Sequence, residues 1–225
     1  MNRILFVSSF FYFSFCSVLA QPTKGSIVLG GNLGFHIGSR DTMNYGTQYD
    51  GSSSISVIDV GPRLGYSLSE HLMIGIAVGY YWSKYQNTHN ASSEISTSDK
   101  YSLKYFGPYM RIDYYFSEYW GVFSDLSVYY YWGASEYSLY HGTSSYAYET
   151  YIFDKTRTSL YINPGIVFNL NNRISMEVST SILTAYKATS ELSSPQVPDP
   201  PRIEDSYLDL SLNLNTLKLG LNIIL

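Results

Sequence analysis

Apolar and polar positions alternate through this sequence from about residue 26 to its end. Between Leu72 and Trp82 the even positions are Leu, Ile, Ile, Val, Tyr and Trp, while the odd ones are Met73, Gly75, Ala77, Gly79 and Tyr81. A period of two over that length predicts a β-strand with one apolar face. The preceding segment alternates in the same way, with Val60, Pro62, Leu64 and Tyr66 on one face and Asp59, Gly61, Arg63 and Gly65 on the other. Ser67 to His71 is short and polar, so the two segments form a hairpin. The unit recurs from Gly107 to Trp132 and from Asn163 to about Tyr186, each time with a proline near its start (Pro62, Pro108, Pro164).

Extending the pattern to both ends predicts eight strands, three tight turns and four long connections. The connections fall at residues 38–54, 83–100, 134–155 and 188–205, all polar; the last contains Pro195, Pro198, Pro200 and Pro201 and is expected to be stiff and extended. In the final strand the apolar phase is even through Leu208, Leu210, Leu212 and Leu214. It then becomes odd through Leu217, Leu219, Leu221, Ile223 and Leu225. A β-bulge near Asn215-Thr216 accounts for the change of phase. Nothing after residue 20 has helical periodicity, so the fold class is all-β: an eight-stranded antiparallel up-and-down barrel.

Composition decides which way the barrel faces. Of the 225 residues only 14% are charged and 17% are aromatic, including 24 Tyr, whereas a soluble domain carries about 25% charge. The apolar face bears Trp, Tyr, Phe, Leu and Ile on every strand, more volume than an eight-stranded interior accepts. The opposite face bears Gly30, Gly34, Gly61, Gly65, Gly75, Gly79, Gly107, Gly121, Gly165 and Gly220 among polar side chains, as a narrow interior requires. The apolar face therefore points outward and the barrel is transmembrane; the inverse arrangement would be a soluble, lipocalin-like ligand carrier. Trp120 adjoins a tight turn, and Trp82 and Trp132 adjoin long connections. At about 3.3 Å per residue and a tilt of about 40°, Trp120 and Trp132 stand roughly 30 Å apart along the barrel axis, near the height of an outer-membrane apolar band with its aromatic girdles. Tyr66, Trp82, Trp120, Tyr130 and Trp132 are the expected membrane-interface aromatics.

Residues 1–20 predict an export signal: Arg3, an apolar run from Ile4 to Val18, and small residues before Gln21. The barrel domain is expected over 21–225. The only cysteine, Cys16, falls in the leader, so the exported chain is expected to carry no disulfide. The formal net charge of −4 is unclustered and argues against a nucleic-acid partner.

With its hairpins in which a proline is followed by an aromatic (Pro62 to Tyr66, Pro108 to Tyr114, Pro164 to Phe168), its Ser/Asn turns and its apolar last strand, the chain resembles the small outer-membrane β-barrel proteins of the OmpA/OmpX type, in the variety common in Bacteroidetes-like bacteria. The resemblance covers essentially all of the chain after the leader. It implies location in a Gram-negative outer membrane, with membrane lipid and the barrel assembly machinery as partners. Such barrels usually end on an aromatic residue that the machinery recognises, whereas this chain ends on Ile224-Leu225; the difference bears on recognition, not on architecture.

Inside such a barrel fall Asp59, Arg63, Arg111, Asp113, Asp125, Glu177 and Lys218, an expected ion-pair network. It would either plug the lumen or line a narrow passive pore. A lipid-modifying barrel enzyme would need a nucleophile, a base and an acid grouped near the outer rim. The histidines are His36, His71, His89 and His141; only His36 lies on the wall, and no serine or acid spacing supports it. No catalytic residue, metal cluster or cofactor is therefore expected. The Tyr/Ser-rich connections resemble surfaces that use tyrosine for contact, which suggests a surface ligand or host partner.

Overall fold

The computed structural model describes residues 22–43, 50–89, 95–141, 149–193 and 202–225. They form eight strands: β1 (Ile27–Met43), β2 (Asp50–Ser69), β3 (Leu72–His89), β4 (Ile95–Tyr115), β5 (Trp120–His141), β6 (Glu149–Asn169), β7 (Ile174–Leu192) and β8 (Arg202–Ile224). Each pairs antiparallel with the next, and β8 returns to β1 to close the barrel. The expected leader (residues 1–20), Cys16 and the four prolines of residues 195–201 lie outside the described residues.

Three short turns join the hairpins at one end, and each is set by one small polar side chain. Ser69 Oγ accepts the His71 amide at 3.3 Å. Ser117 Oγ accepts the Trp120 amide at 3.0 Å. Asn171 Oδ1 accepts the amides of Arg173 and Ile174 at 2.9 and 3.0 Å. Such side chains satisfy backbone donors that a reversing chain leaves free, which is why these turns are visible in sequence.

The opposite end differs from expectation. The four connections are not long loops, because the strands continue through most of them. β1 runs on to Met43 and β2 starts at Asp50, while β5 runs to His141 and β6 starts at Glu149. β3 likewise reaches His89 and β7 reaches Leu192. These stretches lost their strand signature because both faces are polar there. Alternation reports contrast between two faces, and a strand with two wet faces has none. The 22 residues of β5 span about 55 Å at 3.3 Å per residue and 40° tilt, roughly twice the ~25 Å of an outer-membrane apolar band.

The outer surface is a belt of Ile, Leu and Val, including Leu29, Leu33, Val60, Ile76, Val78, Val128, Val178 and Leu219, all exposed. Tyr66, Tyr114, Phe116 and Trp120 border it at the short-turn end, and Tyr80, Tyr130 and Trp132 at the other; Trp82, also toward that end, is half-buried. Trp120 packs on Phe168 with ring centroids 4.7 Å apart, and Tyr130 on Trp132 at 6.0 Å. The apolar face is outside, and the soluble-carrier alternative, which needs it inside, is overturned.

Irregularities of two kinds follow from sequence. Ladder pairing toward the next strand skips Gly61-Pro62, Gly107-Pro108 and Asn163-Pro164, since proline offers no N–H. In β8 the register against β7 slips between Ser179 and Leu183, where Lys218 and then Asn213 and Leu210 are the partners. The extra β8 residues bracket Asn215-Thr216, so Leu208 and Leu210 below the slip in number, and Leu217 and Leu219 above it, all face outward.

The interior is not lined simply by small residues. Glycines on the wall form niches into which rings from other strands fit. A Cβ at Gly61 would overlap the Tyr105 hydroxyl, and one at Gly79 would overlap the Tyr105 ring. We expect Gly61→Ala to destabilise the folded barrel by about 1–3 kcal/mol through overpacking. In a Tyr105→Phe background, where the hydroxyl is gone, the same change should cost measurably less. A double-mutant cycle by urea unfolding in detergent reads this coupling, and additive effects would show that the niche is not what Gly61 provides.

Candidate functional site: the barrel lumen

Strand alternation aims one side chain in two at the barrel axis, and closure brings together residues far apart in sequence. Near the short-turn end, Arg111 from β4 grips Asp125 from β5 bidentately, Nε to Oδ1 at 2.6 Å and Nη2 to Oδ2 at 2.9 Å. Its guanidinium also donates to Glu177 of β7, with Nη2 to Oε2 at 3.0 Å. Arg63 of β2 faces the same two acids, with Nη1 3.1 Å from Asp125 Oδ2 and Nη2 bonded to Glu177. Asn222 of β8 accepts from Arg63 at 3.0 Å and donates to Glu177 and to Ser175 Oγ. Two arginines and two carboxylates, all buried, thus cross-link four strands, and Asn222 ties in a fifth. The guanidinium fork suits this task because its donors meet a carboxylate two at a time.

A second pair stands further from the short turns. Lys218 Nζ lies 2.5 Å from Asp59 Oδ2, and the Tyr105 hydroxyl donates to Asp59 Oδ1 at 3.0 Å. Six of the seven lumen residues expected from sequence therefore fall into two ion-paired groups. Asp113 is the exception: it is buried, and its Oδ1 has no hydrogen-bond partner among the described residues.

Alternation puts Tyr105, Tyr109 and Tyr129 on the inner phase, but it does not show their stacking into an aromatic column between and above these groups. The Arg111 guanidinium lies 3.9 Å from the Phe123 ring centroid, and that of Arg63 lies 5.7 Å from Tyr109. Tyr105 packs against both Tyr129 and Tyr131 at 5.1 Å, and Tyr129 against Tyr161 at 5.9 Å. Offset and tilted pairs at such distances are the favourable ring arrangements. The signal was present, because Tyr105, Tyr109, Tyr129 and Tyr131 sit on the glycine-bearing phase of β4 and β5. Tyrosine suits both faces of a barrel wall, so residue type alone did not assign it.

Arg157 was also missed, standing at the expected edge of a connection. Its Nε donates to Ser159 Oγ at 2.6 Å and its Nη2 to the Tyr161 hydroxyl. Its guanidinium lies 4.8 Å from the Tyr131 ring centroid and 4.6 Å from that of Tyr186. It separates two cavities on the polar side of the Asp59–Lys218 pair. One, of about 330 Å³, is lined by residues that include Phe35, His36, Tyr131, Arg157, Leu217 and Lys218. The other, of about 260 Å³, reaches Asp99, Tyr101 and Lys155. His36 thus borders a cavity, while His71 stacks on Tyr114 at the short-turn end, 6.5 Å between centroids. His89 and His141 lie in strands whose side chains there are outside the description. Beyond the belt, Lys100 and Glu136 pair at 2.7 Å, and this hydrogen bond holds the Glu136 carboxyl below its usual range.

The buried and exposed pairs should respond differently. Arg111→Met leaves Asp125 and Glu177 sharing Arg63 in a dry site, so a loss of about 3–5 kcal/mol is expected. Lys100→Gln, breaking a half-exposed pair, should cost no more than about 1 kcal/mol. Equilibrium unfolding of the refolded barrel in detergent measures both; equal losses would show that the lumen network does not hold the wall.

No family model matches the sequence, and no curated protein matches it. Among solved structures the chain is similar to outer-membrane β-barrels. With the outer membrane protein OprG from Pseudomonas aeruginosa it shares 8% identity, over 92% of this chain and 99% of that one, at a TM-score of 0.46. With Ail, the attachment invasion locus protein of Yersinia pestis, identity is 14%, over 90% and 100%, at a TM-score of 0.35. With Neisserial surface protein A identity is 11%, over 89% and 99%, at a TM-score of 0.33. These likenesses concern fold only; the chain's own strand pairing shows an all-β, eight-stranded antiparallel up-and-down barrel.

Proposed function

We propose that this protein is an integral outer-membrane barrel of the OmpA/OmpX-like kind, sealed at its short-turn end, that displays its extended polar strands at the cell surface. The observation that carries the reading is the pairing of an apolar outer belt with a charge-crosslinked, aromatic-filled interior. A soluble protein rarely exposes a contiguous apolar patch larger than a few hundred Å², and this belt encircles the barrel between two rings of aromatic residues. In hydrocarbon, only helices or closed barrels satisfy their backbone groups. Membrane lipid is then the partner of the belt, and the assembly machinery delivers the chain after export by its leader. The short turns face the periplasm.

The Arg63–Arg111–Asp125–Glu177 group argues for a plug over a passive pore. Each guanidinium is held by two carboxylates, and rings stand against it, an arrangement that favours a plug. The surface role belongs to the strand extensions instead, where Tyr137 and Tyr151 approach at 6.5 Å and Tyr186 stacks on Tyr207 at 5.3 Å. Rigid tyrosines on a fixed scaffold give contact area at small entropic cost, as suits a surface ligand or host partner. No part of this reading calls for catalysis.

Membrane-fraction protein run unheated on a gel should migrate faster than the boiled sample. The same preparation in planar bilayers should show no conductance above the lipid baseline. Discrete conductance steps would reject the plug, and recovery of the protein in the soluble fraction would reject the membrane placement.

A further inference from the structure

Neighbouring strands in this barrel pair over most of their lengths, with one exception. β1 and β2 pair at seventeen positions, from Ile27↔Tyr66 to Met43↔Asp50. β1 and β8 pair at only seven, from Val28↔Ile224 to Gly34↔Lys218. Beyond Gly34 on one side and Lys218 on the other, no further pairing joins the two strands among the described residues. The bordering side chains record the gap: Phe35 and Ile37 on β1 are 63% and 79% exposed, and Leu208 and Leu210 on β8 are 73% and 76% exposed. Belt residues flanked on both sides, such as Ile58, are less exposed.

The height of the gap matters. Gly34 lies seven residues along β1 from Ile27, roughly 18 Å along the barrel axis at 3.3 Å per residue and 40° tilt. That is short of the ~25 Å of an outer-membrane apolar band, so on the proposed membrane placement the wall opens while still at lipid level. Unpaired backbone at that depth is tolerated only where it is buried in protein or lines a water-filled cavity, so the edges here must face the chamber and its water. The ~330 Å³ chamber lies directly behind, with Phe35 and Leu217 from the two edges in its lining, and its size falls within the range of small-ligand sites, roughly 300–1,000 Å³.

We propose that this seam is a lateral port between the membrane and the chamber, and that the chamber takes a single-chain amphiphile whose carboxylate head binds Arg157. The head chemistry follows from the charges. Arg63, Arg111 and Lys218 in the same lumen are each ion-paired. Arg157 is half-buried among tyrosines and has no carboxylate within ion-pair distance among the described residues. Lys155, in the adjoining cavity with Asp99, rests its Nζ 4.3 Å from the Tyr101 ring centroid and adds positive charge nearby. Asp59, which is committed to Lys218, and Asp209 are the acids in the chamber lining among the described residues. The tail chemistry follows from the edges: Phe35, Ile55, Val57 and Leu217 offer an apolar course from the chamber to the lipid. Lys218 and Asp59, with the plug beyond them, close the way toward the short turns. A molecule reaching the chamber from the cell surface would therefore leave sideways.

The test uses the full barrel refolded into lipid nanodiscs, with heat-modifiable gel mobility checked for every variant. Calorimetric titration with octanoate, below its micellar concentration, should give saturable one-site binding, while octanol and octyltrimethylammonium should not compete with it. Arg157→Gln should weaken octanoate at least tenfold, and Arg157→Lys should retain most of the affinity. Oxidation of a Phe35→Cys/Leu217→Cys pair should slow release of bound octanoate into the lipid at least tenfold relative to the reduced protein, and equal release rates would overturn the port. Partition into the lipid only, without saturation, in a protein that keeps its gel shift would overturn the port and leave the membrane-barrel reading standing. Equal octanoate affinity in Arg157→Gln and the wild type would overturn the assignment of the head group. Loss of the gel shift in the wild type would overturn both readings.

Discussion

Closure of the hydrogen-bond ladder is the constraint on which the rest of this structure depends. A strand edge left unpaired in hydrocarbon has no water to turn to, so a sheet at lipid level must return to its own first strand. Here β8 meets β1 over Val28–Gly34, and that short contact fixes the circumference of the ring. Once eight strands close, the interior is too narrow to stay empty and too wide to be filled by the wall alone. The contents of the lumen are consequences of that geometry.

Two kinds of filling meet the need. Near the short turns, Arg63 and Arg111 share Asp125 and Glu177, so that buried charge is balanced and most donors have acceptors. Further up, tyrosine rings cross the axis into space left by glycines on facing strands, with Tyr105 set against Gly61 and Gly79. The first kind ties distant strands together through directional bonds. The second fills volume and brings hydroxyls to the few polar groups that need them, as Tyr105 does for Asp59. Where both run out, near Arg157, cavities remain. The β1–β8 pairing ends at the same level, where Arg157 has no carboxylate within ion-pair distance among the described residues.

Much of the wall was legible from alternation. Leu72 to Trp82 marks one face of β3 with no reference to any other strand, because a pleated chain sends successive side chains to opposite sides. The turns at Ser69, Ser117 and Asn171 were equally local. The phase change near Asn215-Thr216 located the β8 slip because a bulge exchanges the faces of everything beyond it. The upper strands were not legible: residues 134–141 lie in β5, where apolar and polar side chains do not sort onto separate faces. Membership of the lumen was readable for Asp59, Arg63, Arg111, Asp113, Asp125, Glu177 and Lys218, which carry charge on the inner phase. It was not readable for Arg157, whose strand was expected to begin only one residue earlier.

The sequence by itself determined strand positions, which face of each strand is apolar, the tight turns and the bulge, since all of these rest on periods of two and on contacts within a few residues. Only the tertiary structure decided which charges meet, because Arg63 and Glu177 are 114 positions apart and their encounter depends on closure and stagger. It also decided how far each ladder runs. The β1–β8 pairing stops at Gly34, while β1–β2 continues to Met43, because a barrel with staggered strands sets its last pairing by the accumulated register of the other seven.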